Sequence, residues 1–238
     1  MAGETAEDAA SVERAPGRAG LRRRLVEQEI LERAAELFAE RGFAGTTVQD
    51  IADALGMSRP ALYYYVKSKD VLLEQLVKNL SINDAKALEA IRRRRSGEPL
   101  EKLREMAQHL ATNAGSNPYQ TQILAQGKHH LPDGIAQLNR DAERSIVQSL
   151  IWVLEQGMRR GQVRQLDTRT AALAIVGMCL WTAWWIDESP LEKIAVQISE
   201  QAVNSVLAVD GDREIDEPAA LLRAARANLD RVQAALDG

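Results

Sequence analysis

Residues 46–69 decide the fold, and they read TTVQDIADALGMSRPALYYYVKSK. Thr47 is followed three residues later by an aspartate, a pattern that predicts a capped helix start, and Gly56 predicts the end of that helix. Ser58 is a second N-cap candidate, and Pro60 suits the first turn of the next helix because a proline has no N–H there to leave unpaired. Two short helices joined by a tight turn containing glycine predict a helix-turn-helix.

The second of these helices carries side chains suited to reading DNA. In a helix-turn-helix the second helix enters the major groove with its N-terminal residues nearest the base edges. Arg59 can donate two parallel hydrogen bonds to guanine O6 and N7, whereas Pro60 and Ala61 can contact a thymine methyl group. Leu62 and Val66, four residues apart, are predicted to face the core.

Three adjacent tyrosines, Tyr63, Tyr64 and Tyr65, follow in the same helix. Three successive helical positions span about 200° of arc, so at least one of these phenols is exposed. An exposed tyrosine hydroxyl can donate to a phosphate oxygen, and the backbone N–H groups at the helix starts are further anion sites. The alternative is a well-capped helix that carries a tyrosine cluster on its surface.

Upstream of this stretch the sequence predicts one amphipathic helix and a basic cluster. Apolar residues recur at three- and four-residue spacings across residues 30–38, and Gly42 predicts the end of that helix, after which Phe43 packs back onto it. Four arginines, Arg18 and residues 22–24, lie within seven residues without an acid. Such a cluster is either a solvated face or an arm drawn to a polyanion.

The composition restricts the class of protein. The 238 residues are 45% hydrophobic and 27% charged, enough to bury a core, and helix-favouring residues dominate. No apolar run reaches the roughly 18 residues of a membrane span. Cys179 is the only cysteine, which excludes an internal disulfide and predicts a cytoplasmic protein. The net charge of −4 gives nucleic-acid binding no global support, so such a function must rest on a local cluster.

Catalytic and metal-binding hypotheses find no support in the sequence. His129 and His130 are adjacent, so on a helix they diverge by about 100° and cannot chelate one ion. No His-Glu-x-x-His, Cys-x-x-Cys, glycine-rich phosphate loop or Gly-x-Ser-x-Gly pattern occurs. We therefore predict no enzyme, no metal site and no cofactor.

From Leu31 to Leu76 the chain resembles the TetR family of transcriptional regulators. The resemblance is carried by residues 37–43 (LFAERGF), 46–52 (TTVQDIA), 55–58 (LGMS), 62–66 (LYYYV) and 67–73 (KSKDVLL). It implies phosphate contacts for Thr47 and Lys69, base contacts for Arg59, Pro60 and Ala61, and backbone contacts for Tyr63 and Tyr64. The family usually has histidine at the place of Tyr65, so a packing role competes with phosphate contact there.

These arguments together predict one DNA-binding surface. Family members often carry a basic extension before the first helix, which is why the arginine cluster is included. The predicted residues are Arg22, Arg23, Arg24, Thr46, Thr47, Ser58, Arg59, Pro60, Ala61, Tyr63, Tyr64, Tyr65 and Lys69.

The chain is predicted to be all-α, with an N-terminal three-helix helix-turn-helix domain and a larger helical domain. The predicted parts are a disordered acidic leader (1–20), the DNA-binding domain (21–80), a ligand-binding and dimerisation domain (81–209), and an acidic linker with a C-terminal amphipathic helix (210–238). Residues 171–186 are apolar nearly all round. Such a helix must be covered on every side, by its own core or by a second subunit.

The resemblance implies a homodimer, because the last two helices of the family form a four-helix bundle between subunits. A symmetric dimer also suits a palindromic operator. The family binds effectors inside the larger domain, and the candidates to line an apolar cavity are Met106, His109, Leu110, Ile123, Gln126, His130, Trp152, Trp181 and Trp184. The alternative for each is a core or interface position.

One finer resemblance concerns the effector. The order WVLEQG at 152–157 and the tryptophans of 181–185 resemble regulators of fatty-acid or sterol breakdown that sense acyl-CoA thioesters. A coenzyme A ligand needs a cationic mouth, for which Arg159, Arg160 or the arginine run 92–95 are candidates. The run is otherwise expected at a helix C-terminus, where cations complement the dipole.

The sequence thus predicts a repressor that leaves its operator when a small apolar effector, an acyl-CoA or a steroid-like molecule, is bound. Two other classes compete with it. One is a helical dimeric adaptor whose helix-turn-helix only packs, and the other is an activator or a DNA-compacting protein of the same fold. The acidic balance argues against compaction, because sequence-independent binding relies on many phosphate contacts.

Overall fold

The computed structural model describes residues 18–126, 131–184 and 190–208, and its regular structure is almost entirely helical. The predicted all-α class is therefore confirmed. Residues 1–17 of the predicted leader, the predicted acidic linker and the C-terminal amphipathic helix lie outside the described residues, whereas residues 18–20, predicted to be disordered, form the start of α1. Among the described residues, no helix combines the length and the apolar character that a membrane crossing requires.

The helices fall into two compact units that divide after Leu76. The bounds are α1 (Arg18–Gly45), α2 (Val48–Ala54), α3 (Arg59–Tyr65), α4 (Lys69–Val77), a π-helical turn (Lys78–Ile82), α5 (Asn83–Arg93), α6 (Pro99–Ser116), α7 (Pro118–Gln126), α8 (Asp133–Arg159), α9 (Thr168–Trp181), a 3₁₀ turn (Thr182–Trp184) and α10 (Leu191–Asn204). We call the part up to Leu76 the first unit and the part from Val77 the second unit.

In the first unit, α1 supplies a buried apolar stripe that includes Ile30, Ala34 and Phe38. The helix breaks at Gly42, where φ is 76° and ψ is 157°, a conformation that side chains with a Cβ disfavour. The ring of Phe43 then packs edge-on against Phe38, with 5.2 Å between ring centroids. The predicted break and the predicted packing of Phe43 are both confirmed.

The start of α1 differs from the prediction. An arm preceding the first helix was one expectation for the arginine cluster, but the structure places residues 22–24 inside α1. All three are exposed, and as consecutive helical residues they point in different directions around the axis. The structure thus agrees with the solvated face, the first of the two expectations for the cluster, and DNA contact by these arginines stays a prediction.

The turn between α2 and α3 is closed by Gly56, which has φ of 62°. Its N–H donates to Asp53 O (3.1 Å), and the N–H of Met57 donates to Ala52 O (2.9 Å). These two bonds form a Schellman motif, in which a left-handed glycine satisfies the last carbonyls of a helix. The turn therefore fixes where α2 stops and how α3 leaves it.

In the second unit, α6 contacts α5, α8, α9 and α10. The largest fully buried side chains at these contacts are Leu88, Leu103, Met106, Leu110, Leu150 and Leu154. At one end, an isolated antiparallel bridge joins Val163 to Leu207, so the loop after α8 is held against the end of α10. Gly157 lies under this loop, and a Cβ there would lie only 2.5 Å from Val163 Cγ2.

Candidate nucleic-acid interface

The start of α2 is fixed by a reciprocal cap between Thr47 and Asp50. The Thr47 hydroxyl (2.6 Å) and N–H (2.7 Å) both donate to Asp50 Oδ2, and the Asp50 N–H donates back to Thr47 Oγ1 (3.1 Å). These bonds, with a smaller contribution from Arg41, hold the pKa of Asp50 below its usual value. The predicted cap is thus confirmed, and Thr47 is exposed, but both of its donors serve the cap.

The start of α3 presents its first residues to solvent. Ser58 Oγ accepts the N–H of Ala61 (3.3 Å), which confirms the predicted cap. Arg59, Pro60 and Ala61 are exposed, whereas Leu62 is fully buried. The turn therefore holds the three predicted base-contact residues on the outside of the unit.

The side chain of Arg59 lies along α3 and contacts Tyr63, one helical turn further on. Its Nη2 donates to Tyr63 Oη (3.3 Å), and its guanidinium carbon lies 5.5 Å from the centroid of the same ring. A guanidinium over an aromatic face is attracted by the ring quadrupole. The pair presents one planar donor group beside one phenol.

The other tyrosines form a second aromatic surface. Tyr64 is 69% exposed, and the half-buried Tyr65 meets it edge-on at 5.1 Å. The guanidinium of Arg23 lies 5.5 Å from the Tyr64 ring, and its Nε donates to Glu27 (2.8 Å). Of the arginine cluster, Arg23 thus packs beside a predicted DNA-contact residue of α3.

Two residues of the predicted DNA-binding surface bond to the backbone of the first unit. Thr46 is completely buried, and its hydroxyl donates to Leu37 O (3.2 Å) and Gly42 O (2.9 Å), so the prediction that this side chain binds DNA is wrong. The ammonium group of Lys69 donates to Phe43 O (2.8 Å) and Thr46 O (3.1 Å). It also lies 4.5 Å from the centroid of the Phe43 ring. Lys69 therefore joins the start of α4 to the chain between α1 and α2.

A cleft of about 500 Å³ lies between the starts of α2 and α4 and the side of α3. It is lined by Ala44, Thr46, Thr47, Val48, Gln49, Arg59, Tyr63, Lys67, Ser68, Lys69 and Asp70. Three cations and four hydroxyl-bearing residues are among the lining residues, and such groups can bind a phosphate or a base edge. The cleft unites five predicted residues, whereas Ser58, Pro60, Ala61, Tyr64 and Tyr65 lie outside it on or beside α3.

The site prediction omitted four polar residues that line the cleft, namely Gln49, Lys67, Ser68 and Asp70. Lys67 is exposed, and Gln49 is exposed on the first turn of α2, where its Nε2 donates to Asp53 (2.7 Å). The signal for Lys67 was its place two residues before Lys69, in a stretch that also contains the cap of α4. Gln49 carries no comparable sequence signal.

The predicted effector-binding residues do not converge on one place. Met106 and Leu110 are buried in the main core, and Ile123 is buried on α7. Trp181 and Trp184 are 60% and 37% exposed, so the prediction that they line an interior cavity is wrong. The side chain of Gln126 and all of His130 lie outside the described residues.

Trp152 and His109 instead mark two separate polar environments. The Trp152 ring has the Arg92 guanidinium at 5.6 Å and the Lys102 ammonium at 5.7 Å. Lys102 also donates to the backbone carbonyls of Arg92 and Arg94. Because α5 ends at Arg93, the prediction that the arginine run lies at a helix C-terminus is confirmed. His109 bonds to a buried aspartate of α5.

The cations suggested for a coenzyme A mouth are mostly paired with acids. Arg92 and Arg93 both donate to Glu89, Arg94 donates to Glu105, and Arg160 donates to Glu98. The hydrogen bond from Arg92, reinforced by Arg93, lowers the pKa of Glu89 to about 2. An anion binding here must therefore compete with carboxylates that are already in place.

Comparisons with known proteins identify both units. The family described as "Bacterial regulatory proteins, tetR family" matches residues 30–76, and "Tetracyclin repressor-like, C-terminal domain" matches residues 96–206. The repressor KstR2 of Mycobacterium tuberculosis is 46% identical over 50 residues, which are 21% of this chain and 25% of that protein. This sequence match thus spans about a quarter of its relative.

Solved structures share the fold over most of their length. KstR2 of Mycobacterium tuberculosis superposes with a TM-score of 0.66 at 23% identity, over 76% of this chain and 95% of that chain. PfmR of Thermus thermophilus gives 0.63 at 27% identity, over 74% and 94%. AibR, in a complex with isovaleryl coenzyme A and operator DNA, gives 0.61 at 24% identity, over 76% and 98%.

The fold and the surface of the first unit define a helix-turn-helix regulator with a larger helical domain. Both halves of that description match regions of one family, in the order in which the two units occur here. The chain belongs to the TetR family of bacterial transcriptional regulators.

Proposed function

We propose that this protein is a homodimeric transcriptional repressor of the cytoplasm that binds a palindromic operator and releases it when a small apolar effector binds the second unit. The observation that carries the proposal is the exposed group of Arg59, Tyr63 and Lys67 around the cleft of the first unit. The name of KstR2, a repressor matched over the helix-turn-helix, supports the sign of regulation.

Base reading is assigned to Arg59 and phosphate binding to the groups around it. Arg59 stands at the first position of the helix that enters the major groove in this motif. Lys67 is the exposed lysine of the cleft, and Tyr63 Oη can turn from Arg59 to a phosphate oxygen. Tyr64 and Arg23 extend the contact surface along the backbone.

Dimerisation is assigned to the exposed apolar face of α9. Leu173, Ala174, Gly177 and Trp181 are all exposed and lie on this face. Trp181 stacks on Trp184, with 5.2 Å between ring centroids and 19° between ring planes. An exposed apolar patch of this kind marks an interaction surface, and the small residues on it allow two helices to approach closely. A second copy is the occupant that a palindromic operator requires.

The effector proposed here is apolar. The relatives name two chemical classes, a ketosteroid regulator and a complex with isovaleryl coenzyme A. Coenzyme A phosphates would have to compete with Glu89, Glu98 and Glu105 for the arginines of the second unit, but these ion pairs are partly exposed and weak, so both classes are kept as probes.

The experiment is selection of bound sequences from random DNA duplexes at near-physiological salt, followed by competition with steroid and acyl-CoA probes. We expect the selection to recover a palindromic DNA sequence. We expect Arg59→Ala to weaken binding to that sequence by about 1–3 kcal/mol and to reduce the base specificity at one base pair. Uniform weakening on all sequences would make Arg59 a phosphate contact. A folded dimer that selects no sequence would contradict the proposal and favour the adaptor.

A further inference from the structure

The first residue of α3, Arg59, has an aromatic partner on its own helix. Its guanidinium carbon lies 5.5 Å from the centroid of the Tyr63 ring, and its Nη2 donates to Tyr63 Oη (3.3 Å). Residues four positions apart project from the same side of a helix, and helical side chains lean towards the N-terminus. The Tyr63 ring therefore reaches back to the guanidinium, and two separate contacts hold the arginine beside it.

The partner of Arg59 leaves the guanidinium able to bind a base. Other arginines of the chain pair with carboxylates, as Arg104 does with Glu200, and such an arginine has to release its acid before it can bind DNA. Among the residues that the structure describes, no carboxylate pairs with Arg59. Its bond to Tyr63 uses one of the five N–H donors of a guanidinium. The remaining donors are enough for the two bonds to guanine O6 and N7.

The Tyr63 ring is itself held by the first unit, whereas the next tyrosine is not held in the same way. Tyr63 is 42% exposed, so more than half of the residue is covered, and it lines the cleft together with Ala44 and Lys67. Tyr64 is 69% exposed, and the arginine at its ring is Arg23 of α1. Two adjacent tyrosines thus contact two different arginines, which makes Tyr64 a matched control for Tyr63.

We propose that the ring of Tyr63 is the positioning group of Arg59 and thereby sets the base specificity of α3. An arginine loses rotamer freedom when it binds a base, and a ring that holds it beforehand reduces that cost. A held guanidinium is also less able to move to another acceptor when the guanine is replaced. The Tyr63 hydroxyl can leave Arg59 for a phosphate oxygen while the ring stays beside the guanidinium, so the two roles are separable. This inference rests on the proposed operator binding.

The first test separates the ring of Tyr63 from its hydroxyl. The variants Tyr63→Leu and Tyr63→Phe are measured on the selected operator and on an operator with one base pair replaced, namely the pair at which Arg59→Ala loses its preference. The ratio of the two dissociation constants is the discrimination. We expect Tyr63→Leu to lower this ratio about three- to tenfold. Tyr63→Phe retains the ring, so we expect it to weaken binding to both duplexes alike and to keep the ratio within about twofold.

Three outcomes of this test would overturn the proposal. The first is an unchanged ratio in Tyr63→Leu. The second is an equal loss in Tyr63→Phe, since the hydroxyl would then position the arginine. The third is uniform weakening by Arg59→Ala, since Arg59 would then read no base.

Two controls distinguish positioning from direct contact. Tyr64→Leu removes the adjacent ring and should leave the ratio unchanged, whatever it does to the affinity for both duplexes. In the Arg59→Ala background, Tyr63→Leu should cause no further loss of discrimination, because the group that it positions is absent. A further loss in that background would mean that Tyr63 contacts the base itself, and the positioning role would be rejected.

The second test needs no DNA. An aromatic ring shifts the NMR signals of protons that lie over its face, so we expect upfield-shifted Arg59 side-chain protons in the unaltered protein and in Tyr63→Phe. The shift should disappear in Tyr63→Leu and persist in Tyr64→Leu. Unshifted signals in the unaltered protein would overturn the proposal, and this measurement decides even if Tyr63→Leu does not fold. A protein that shows the shift but selects no operator would reject the repressor, whereas an operator whose base preference survives Tyr63→Leu would reject the positioning role alone.

Discussion

The two units hold their polar groups in different ways. In the first unit, Thr47 and Asp50 are three residues apart and bond at the protein surface. In the second unit, Ser81 donates to Asn139 (2.6 Å) across 58 residues of chain, and both side chains are buried. The cap at the start of α2 is therefore local and exposed, whereas the Ser81–Asn139 pair joins distant segments inside a core.

This difference determines what each unit can exchange. A surface bond can pass from a protein partner to a phosphate at little cost, because water already competes for it. A buried bond that loses its partner leaves an unsatisfied group and costs about 1–3 kcal/mol. We therefore expect changes to exposed polar groups of the first unit to alter DNA binding mainly, and changes to buried groups of either unit to alter stability mainly.

The largest effect is expected for Gly157→Ala in the second unit. The new Cβ would lie 2.5 Å from Val163 Cγ2, and Val163 is buried and held by the bridge to Leu207. Overpacking of this kind costs about 1–3 kcal/mol of unfolding free energy, measured by chemical denaturation. The matched control is Gly134→Ala on the same helix, where nothing lies within 4 Å of the added atom. Equal stability of the two variants would show that the loop after α8 yields freely.

A smaller effect distinguishes Lys69 from Lys67, two lysines of one cleft. Lys69→Met removes the donors to Phe43 O and Thr46 O, so we expect about 1–2 kcal/mol lower stability and an unchanged salt dependence of operator binding. Lys67→Met should leave the stability unchanged and reduce the slope of log affinity against log salt by about one per half-site. A lower slope in Lys69→Met would restore Lys69 as a phosphate contact.

The local features of the first unit could be predicted because caps and turns are set by neighbouring residues. Thr47, Gly56 and Ser58 each act within three or four residues, and the structure confirms all three. The role of Lys69 could not be predicted in this way, because its bonding partners lie 23 and 26 residues away. The burial of Thr46 has a similar origin, since its hydroxyl bonds to Leu37 O, nine residues earlier in α1.

Fewer features of the second unit could be predicted from the sequence. A helix that is apolar all round does not reveal which face is covered, so the outward direction of Trp181 was missed. Asp84 also carried no signal, because a single aspartate near a helix start is an ordinary surface residue until a second helix closes over it. Burial that depends on packing between distant helices cannot be predicted from sequence spacing, because the spacing does not show which helices become neighbours.

The smallest effect concerns pH and the end of α5. Arg92 and Arg93 lower the pKa of Glu89 from its ordinary 4.5 to about 2, so the folded protein holds this carboxylate charged where the unfolded chain would protonate it. The stabilisation is therefore fully present above about pH 4.5 and is lost as the pH falls towards 2. Because Glu89 is 28% exposed, solvent screening limits it to about 1 kcal/mol.

The measurement is the difference in unfolding free energy between the unaltered protein and Glu89→Gln across that pH range. We expect the difference to shrink on acidification and to be smaller at all pH values in about 1 M salt, because surface ion pairs are screened. A difference that persists at about pH 2 would mean that Glu89 stabilises the end of α5 by packing and not by charge. In that case the distinction between exposed and buried polar pairs would not hold, because an exposed pair of the second unit would behave like one of its buried pairs.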